Sequence, residues 1–229
     1  MAVLTDRFVR QQHIVQRDNM VPVAVIGCGA IGRDVAMKLA AIGQPEIVLC
    51  DFDLVEEANV TTQLFLPDDV GHSKVLTVQA GIEDIDFNIS VEARNERFRG
   101  DRDWPKVVFV CVDSIDARKF IYEKLKGKFQ LLIDARMLAE TFRVLVADIR
   151  QEGSLDYYER TFFDKEDAAE GRCTSEATNY CASGAAMHMV NQYTRWLRDI
   201  PVIKDRLEDL LAGVVMYDVE EDDDAVSEA

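Results

Sequence analysis

The chain has 229 residues, 48% of them hydrophobic and 30% charged, enough apolar material to build a core without disulfides or a structural metal. Its 26 basic residues face 42 acidic ones, a formal charge of -16 that argues against a nucleic-acid binder, which must neutralise phosphates along a groove. No apolar run approaches the ~18 residues that span a bilayer, and residues 1–16 lack the greasy segment of a secretory signal, so a cytoplasmic protein with no membrane partner is expected.

Seven of the acids (Asp218, Glu220, Glu221, Asp222, Asp223, Asp224 and Glu228) follow Tyr217 with no base among them. Residues 218–229 therefore read as a disordered acidic tail, and 1–217 as a single domain with an N-terminal arm over about 1–20. The cysteines, Cys28, Cys50, Cys111, Cys173 and Cys181, are odd in number and contain no CxxC, while His13, His72 and His188 lie far apart. Reduced thiols are expected, and no structural zinc.

In chain order, residues 21–26 are a short β-branched apolar run that breaks into Gly27-Cys28-Gly29-Ala30-Ile31-Gly32, a strand followed by GxGxxG. Residues 33–42 place Val35, Leu39 and Ile42 at helical spacing, residues 43–45 stop that helix, and 46–50 restore a buried-strand pattern, which makes a βαβ unit. Asp68 or Asp69 can cap a helix over 70–85, and 89–94 alternates like a strand. The apolar strand 107–112 runs into Asp113 and Ser114, which cap a helix over about 115–126, and 130–133 is the next strand. Residues 142–149 alternate with no helical crossover before them, which predicts an antiparallel addition to a mostly parallel sheet. Residues 151–179 are polar and interrupted by Gly153 and Gly171, and read as a long, variable surface loop. Over 183–198, Ala185, Ala186, Met189, Val190, Tyr193, Trp196 and Leu197 recur at helical spacing, the core-facing stripe of a helix packed on the sheet. The expected fold is α/β, a Rossmann-like doubly wound, mostly parallel sheet with an antiparallel C-terminal extension.

Asp51 closes the second strand 24 residues after Gly27, where a carboxylate can reach the ribose of a nucleotide whose phosphates lie on the first helix N-terminus. A P-loop would need Lys and then Ser or Thr where Arg33 and Asp34 stand. An NAD-dependent oxidoreductase would use the same glycine loop, so the residues beyond Asp51 must discriminate.

The run Asp51-Phe52-Asp53-Leu54-Val55-Glu56-Glu57-Ala58-Asn59-Val60-Thr61-Thr62-Gln63-Leu64-Phe65, followed by Asp69-Val70-Gly71-His72-Ser73-Lys74, resembles the ThiF/MoeB superfamily, which includes the ubiquitin-activating enzymes. Arg7 to Gln11 (RFVRQ) looks like that family's N-terminal RYxRQ, and Val112 to Arg118 (VDSIDAR) is similar to its D-[NS]-x-x-x-R, so the resemblance spans about residues 7–136. It implies ATP-dependent adenylation of a carboxylate, that of the C-terminal Gly of a ubiquitin-like or sulfur-carrier protein, with release of pyrophosphate. By the same resemblance Gly27, Gly29 and Gly32 admit the nucleotide, Asp51 takes its ribose, and Asp53, Asn59 and Gln63 are further nucleotide-binding residues. Lys74 neutralises phosphate, Asp113 holds Mg2+, and Arg10 crosses a homodimer interface into the partner's site.

Two departures follow. Thr62 stands where the family has an arginine on the ATP phosphates, with Arg33 a candidate substitute, and a catalytically weak nucleotide-binding scaffold is the corresponding alternative. The paired CxxC motifs that hold zinc in many relatives are also missing. Cys173, in Gly171-Arg172-Cys173-Thr174, looks like the cysteine that takes the acyl group as a thioester in some relatives. Cys181 is the other candidate, although it begins an apolar helix, and Cys28, Cys50 and Cys111 are expected in the core.

Overall fold

The computed structural model describes residues 7–162 and 177–218. Strand β1 (Val23–Ile26) is buried along its whole length, as an uninterrupted Val-Ala-Val-Ile run is when both faces of a parallel strand are covered. The glycine loop leads into α1 (Ala30–Ile42), which stops where Gly43 turns left-handed and returns its N–H to the carbonyls of Leu39 and Ala40. Then come β2 (Glu46–Cys50), the single turn α2 (Asn59–Gln63), α3 (Lys74–Ile85), β3 (Ser90–Arg94), β4 (Val107–Val110), α4 (Ile115–Leu125) and β5 (Leu131–Leu138). Ser114 caps α4 by accepting the Ala117 N–H at 3.4 Å. Beyond β5 lie β6 (Thr141–Asp148), α5 (Ser154–Arg160), α6 (Asn179–Leu197), β7 (Asp205–Asp209) and β8 (Val214–Tyr217).

The sheet order is β3-β2-β1-β4-β5-β6-β7-β8. The first five strands in this order pair in parallel and the remaining contacts are antiparallel, so the α/β reading and its antiparallel extension both hold. Strand order reverses at β1, which opens a crevice at the carboxyl ends of β1 and β4. Alternation sorts the core into two layers: Val23, Val25, Val107 and Phe109 pack with α1, α3 and α6, whereas Ala24, Ile26, Val108 and Val110 pack with α4 and Tyr158 of α5. Among the described residues no helix is long and apolar enough to cross a membrane.

Two local expectations are corrected. Asp68 and Asp69 do not cap a helix from residue 70: they form a 3-10 turn, Pro67–Asp69, closed by the Leu66 N–H on the Asp69 carboxylate at 2.7 Å, and α3 starts only at Lys74. The cause is long-range backbone pairing, since Gly71 donates to Val55, Val55 to His72 and Lys74 to Asp53, with Gly71 at φ +87°. The expected surface loop from 151 instead begins with α5, whose Tyr158 is fully buried under the sheet. Two strands beyond any expectation, β7 and β8, follow the last helix: β7 is a short run rich in charge, and β8, Val-Val-Met-Tyr, is the exposed edge of the sheet.

Candidate active site

The crevice encloses about 970 Å3 and is lined from the carboxyl ends of β1, β2, β4 and β5, the size of a small-molecule site. It brings together Gly27, Gly29, Asp51, Asp53, Gln63, Lys74 and Asp113. At Gly27, φ is +93° and a Cβ would lie 2.6 Å from the Cys111 carbonyl oxygen; at Gly32 a Cβ would lie 1.8 Å from that of Gly27. Only glycine allows β1, the first turn of α1 and the end of β4 to close up in this way. A Cβ on Gly29 would meet only the Gln63 side chain, 3.7 Å away, so the α1 N-terminus is open to an approaching anion.

Asp51 is buried, and both its oxygens hold backbone: Oδ2 accepts the Cys28 N–H at 2.5 Å and Oδ1 the Asp53 N–H at 2.8 Å. It thus anchors the glycine loop while facing the cleft. Burial pushes its pKa up, against the lowering effect of the two N–H donors. Lys74 is the first residue of α3 and only 8% exposed, with Nζ 3.4 Å from Asp53 Oδ2. A lysine is seldom buried without an anion to answer it, and here one loosely placed carboxylate is supplied. The buried Oε1 of Gln63 has no hydrogen-bond partner in the cleft wall. Asp113 stands exposed just past β4. Facing the base of the loop, Arg97 stacks on Phe52 with Cζ 3.7 Å from the ring centre, and both line the cleft.

Several expected residues are not in the lining. Gly32 acts from beneath, through packing. Asn59 turns its Oδ1 to the Glu56 N–H at 2.9 Å, so it shapes the loop before α2. The Thr62 hydroxyl returns to the Ala58 carbonyl at 2.8 Å. Arg33 does not replace the missing arginine: its guanidinium lies 5.3 Å over the Phe65 ring, outside the cleft, with its pKa lowered by burial. Arg10 is exposed and outside this chain's own crevice, on an arm tied down by Arg7 on Asp86 at 3.2 Å and by Arg17 stacked on Phe8 at 3.9 Å. Cys173 lies outside the described residues. Cys181 is fully buried with its thiol pushed up to about 11 by burial, and Cys28 and Cys50 are buried as expected, Cys111 partly so.

Motif reading included Arg118 but missed the ion cluster it joins at the far end of the cleft. There Arg118 from α4 and Arg136 from β5 both reach the fully buried Asp134. Arg118 also donates to the Val112 carbonyl, and Tyr158 donates to Asp134 at 3.2 Å. The available signal was a charged pair, Asp134 and Arg136, two apart on one face of an otherwise apolar strand.

Fold and crevice together place this chain among the Rossmann-like α/β nucleotide-binding folds. More narrowly, the model of the ThiF family matches residues 10–219, and the chain belongs to that family. Ubiquitin-like modifier-activating enzyme 5 of Branchiostoma floridae is 28% identical over 131 residues, 49% of this chain and 32% of that protein. Its Drosophila melanogaster namesake is 32% identical over 116 residues, 43% of this chain and 29% of that protein. The chain thus spans about a third of the length of the curated relatives it matches. The crystal structure of E. coli MccB with ATP superposes with a TM-score of 0.76 at 17% identity, covering 94% of this chain and 71% of that one. PaaA gives 0.74 at 20%, covering 95% and 75%. Likeness at these identities establishes the shared fold.

Proposed function

We propose that this chain adenylates a carboxylate with ATP, the acceptor being the C-terminal Gly of a ubiquitin-like or sulfur-carrier protein. The observation that carries the reading is the buried Lys74 beside Asp53, set across the cleft from a glycine loop that presents the N-terminus of α1. In this reaction an acceptor carboxylate oxygen bonds to the α-phosphorus, the bond to the bridging oxygen breaks, and pyrophosphate leaves with that electron pair. Two anions must meet, so the site has to supply positive charge and N–H donors before the bond forms. Lys74 and the α1 amides serve the phosphates, Asp51 the ribose, and the unpartnered Gln63 oxygen takes a donor from the nucleotide.

The cleft lining carries five carboxylates against four cationic side chains, so side chains alone cannot neutralise a triphosphate. Among the described residues no three His, Cys, Asp or Glu side chains could cage a metal. The exposed Asp113 carboxylate in the cleft lining suits Mg2+, which takes one or two carboxylates and completes its shell with phosphates and water. Asp113 would hold it, and the ion would offset phosphate charge.

A homodimer belongs to the same reading. Leu54, Leu64, Leu66, Val70 and Leu76 are exposed around the loop beside the cleft, an apolar stretch suited to a second subunit, and the outward Arg10 would serve the partner's site. A following thioester step, thiolate attack on the acyl-adenylate carbonyl with AMP leaving, would fall to Cys173. Residues 1–217 would act as one adenylation unit. Thr62 favours a second reading, a nucleotide-binding scaffold with weak catalysis. Incubation with Mg2+, ATP, labelled pyrophosphate and a carrier ending in Gly-Gly separates them: label returns to ATP under the first reading, and ATP binding without exchange supports the scaffold. NAD binding in place of ATP would point back to an oxidoreductase.

A further inference from the structure

Beyond Asp51 the cleft continues toward β3. Neighbouring strands lie about 5 Å apart, so the carboxyl ends of β1, β2 and β3, adjacent in the sheet, form three stations in a row. The glycine loop after β1 receives phosphates and Asp51 at the end of β2 the ribose, which leaves the base at the segment that follows β3. That segment is Glu96-Arg97-Phe98, and all three residues line the crevice. Its backbone is fixed where it enters the cleft: the Glu96 N–H donates to the Arg94 carbonyl at 2.9 Å, and the Cys50 thiol donates to the Glu96 carbonyl at 3.2 Å.

Arg97 Cζ sits 3.7 Å from the centre of the Phe52 ring, so one face of the guanidinium is covered by that ring. Phe52 is in turn held between Asp51 and Asp53, whose N–H binds Asp51 Oδ1 at 2.8 Å; the carboxylate assigned to the ribose therefore also sets the platform beside it. Both Arg97 and Phe52 are exposed. Neighbouring arginines are engaged by carboxylates, Arg94 by Glu92 at 2.8 Å and Arg102 by Glu96 at 3.2 Å, whereas among the described residues no hydrogen bond or ion pair occupies the Arg97 guanidinium. Phe98 and Phe120 continue the wall, edge to face with ring centres 6.2 Å apart. A planar cation backed by one ring and bordered by two others suits a flat heteroaromatic ligand, since bases stack on guanidinium planes as they do on aromatic rings.

Resting on the adenylation reading, we infer that Arg97, backed by Phe52, holds the nucleotide by stacking on its base. The full chain, with Mg2+, is titrated with a non-hydrolysable ATP analogue and, separately, with inorganic tripolyphosphate, which has no base. Arg97→Ala should weaken the analogue about tenfold, the loss typical of one stacking partner, and leave tripolyphosphate unchanged. Arg97→Lys keeps the charge without the plane and should lose nearly as much, whereas Arg97→Tyr restores a plane without the charge and should recover most of the affinity. An analogue affinity that survives Arg97→Ala overturns the inference. So does an equal loss for tripolyphosphate, or rescue by Arg97→Lys and not by Arg97→Tyr, because the guanidinium then serves phosphate by its charge. Failure of the native chain to bind the analogue at all would sink the adenylation reading and the inference with it, a result distinct from a native chain that binds and a variant that binds as well.

Discussion

The two ends of the cleft are built on different principles. At the glycine-loop end, backbone does most of the work: Gly27 and Gly32 close the chain up, and Asp51 spends both oxygens on amides within one βαβ unit. At the β4–β5 end, side chains do it, with Asp134 gathering Arg118, Arg136 and Tyr158 from three elements. Backbone geometry tolerates side-chain variation and so suits a ligand common to a whole family. A buried ion cluster depends on every one of its side chains, because removing one leaves the others without a partner.

The sharpest way to break this contrast is Asp134→Ala, which strands the buried guanidinium of Arg118 and the half-buried one of Arg136. About 3–5 kcal/mol of stability should be lost in urea denaturation, and a loss below 1 kcal/mol would show that water, not Asp134, balances them. Next in size is Lys74→Ala at the opposite end. Removing one charge-assisted contact, worth ~1.5–3 kcal/mol, should slow pyrophosphate exchange roughly 10- to 150-fold while the melting temperature barely moves. Thr62→Arg should work in the other direction. If the missing cation limits the reaction, exchange rises about tenfold, and an unchanged rate would mean that the site has compensated elsewhere.

The smallest effect concerns how α5 is held against α4. Glu159 pairs with Lys126 and accepts the Tyr122 hydroxyl at 2.6 Å, contacts that hold its pKa below the usual 4.5. Their stabilisation is therefore full above 4.5 and disappears as pH falls through the lowered value. Hydrogen exchange of α5 should accelerate on acidification through that range before the amides of β1 respond, and simultaneous loss would mean that α5 depends on the whole fold instead.

Much of the nucleotide end could be read without coordinates, because its signals are local. Alternation and helical spacing mark β1, α1, β2, β4, α4 and α6, and the glycines and Asp51 follow from what a turn beside a helix N-terminus permits. Local signals also misled, at Asp69, where pairing of residues 71–74 with 53–55 overrode a helix cap, and at α5, where polar residues surround a buried Tyr158.

Periodicity and turn chemistry thus determined the order of elements and the nucleotide loop, since both depend on neighbours within a few residues. Tertiary structure alone decided that Lys74 meets Asp53 across 21 positions, that Arg118 meets Asp134 across 16 and Tyr158 meets it across 24. Such meetings depend on strand order and on desolvation, which exist only once the sheet has closed over its core.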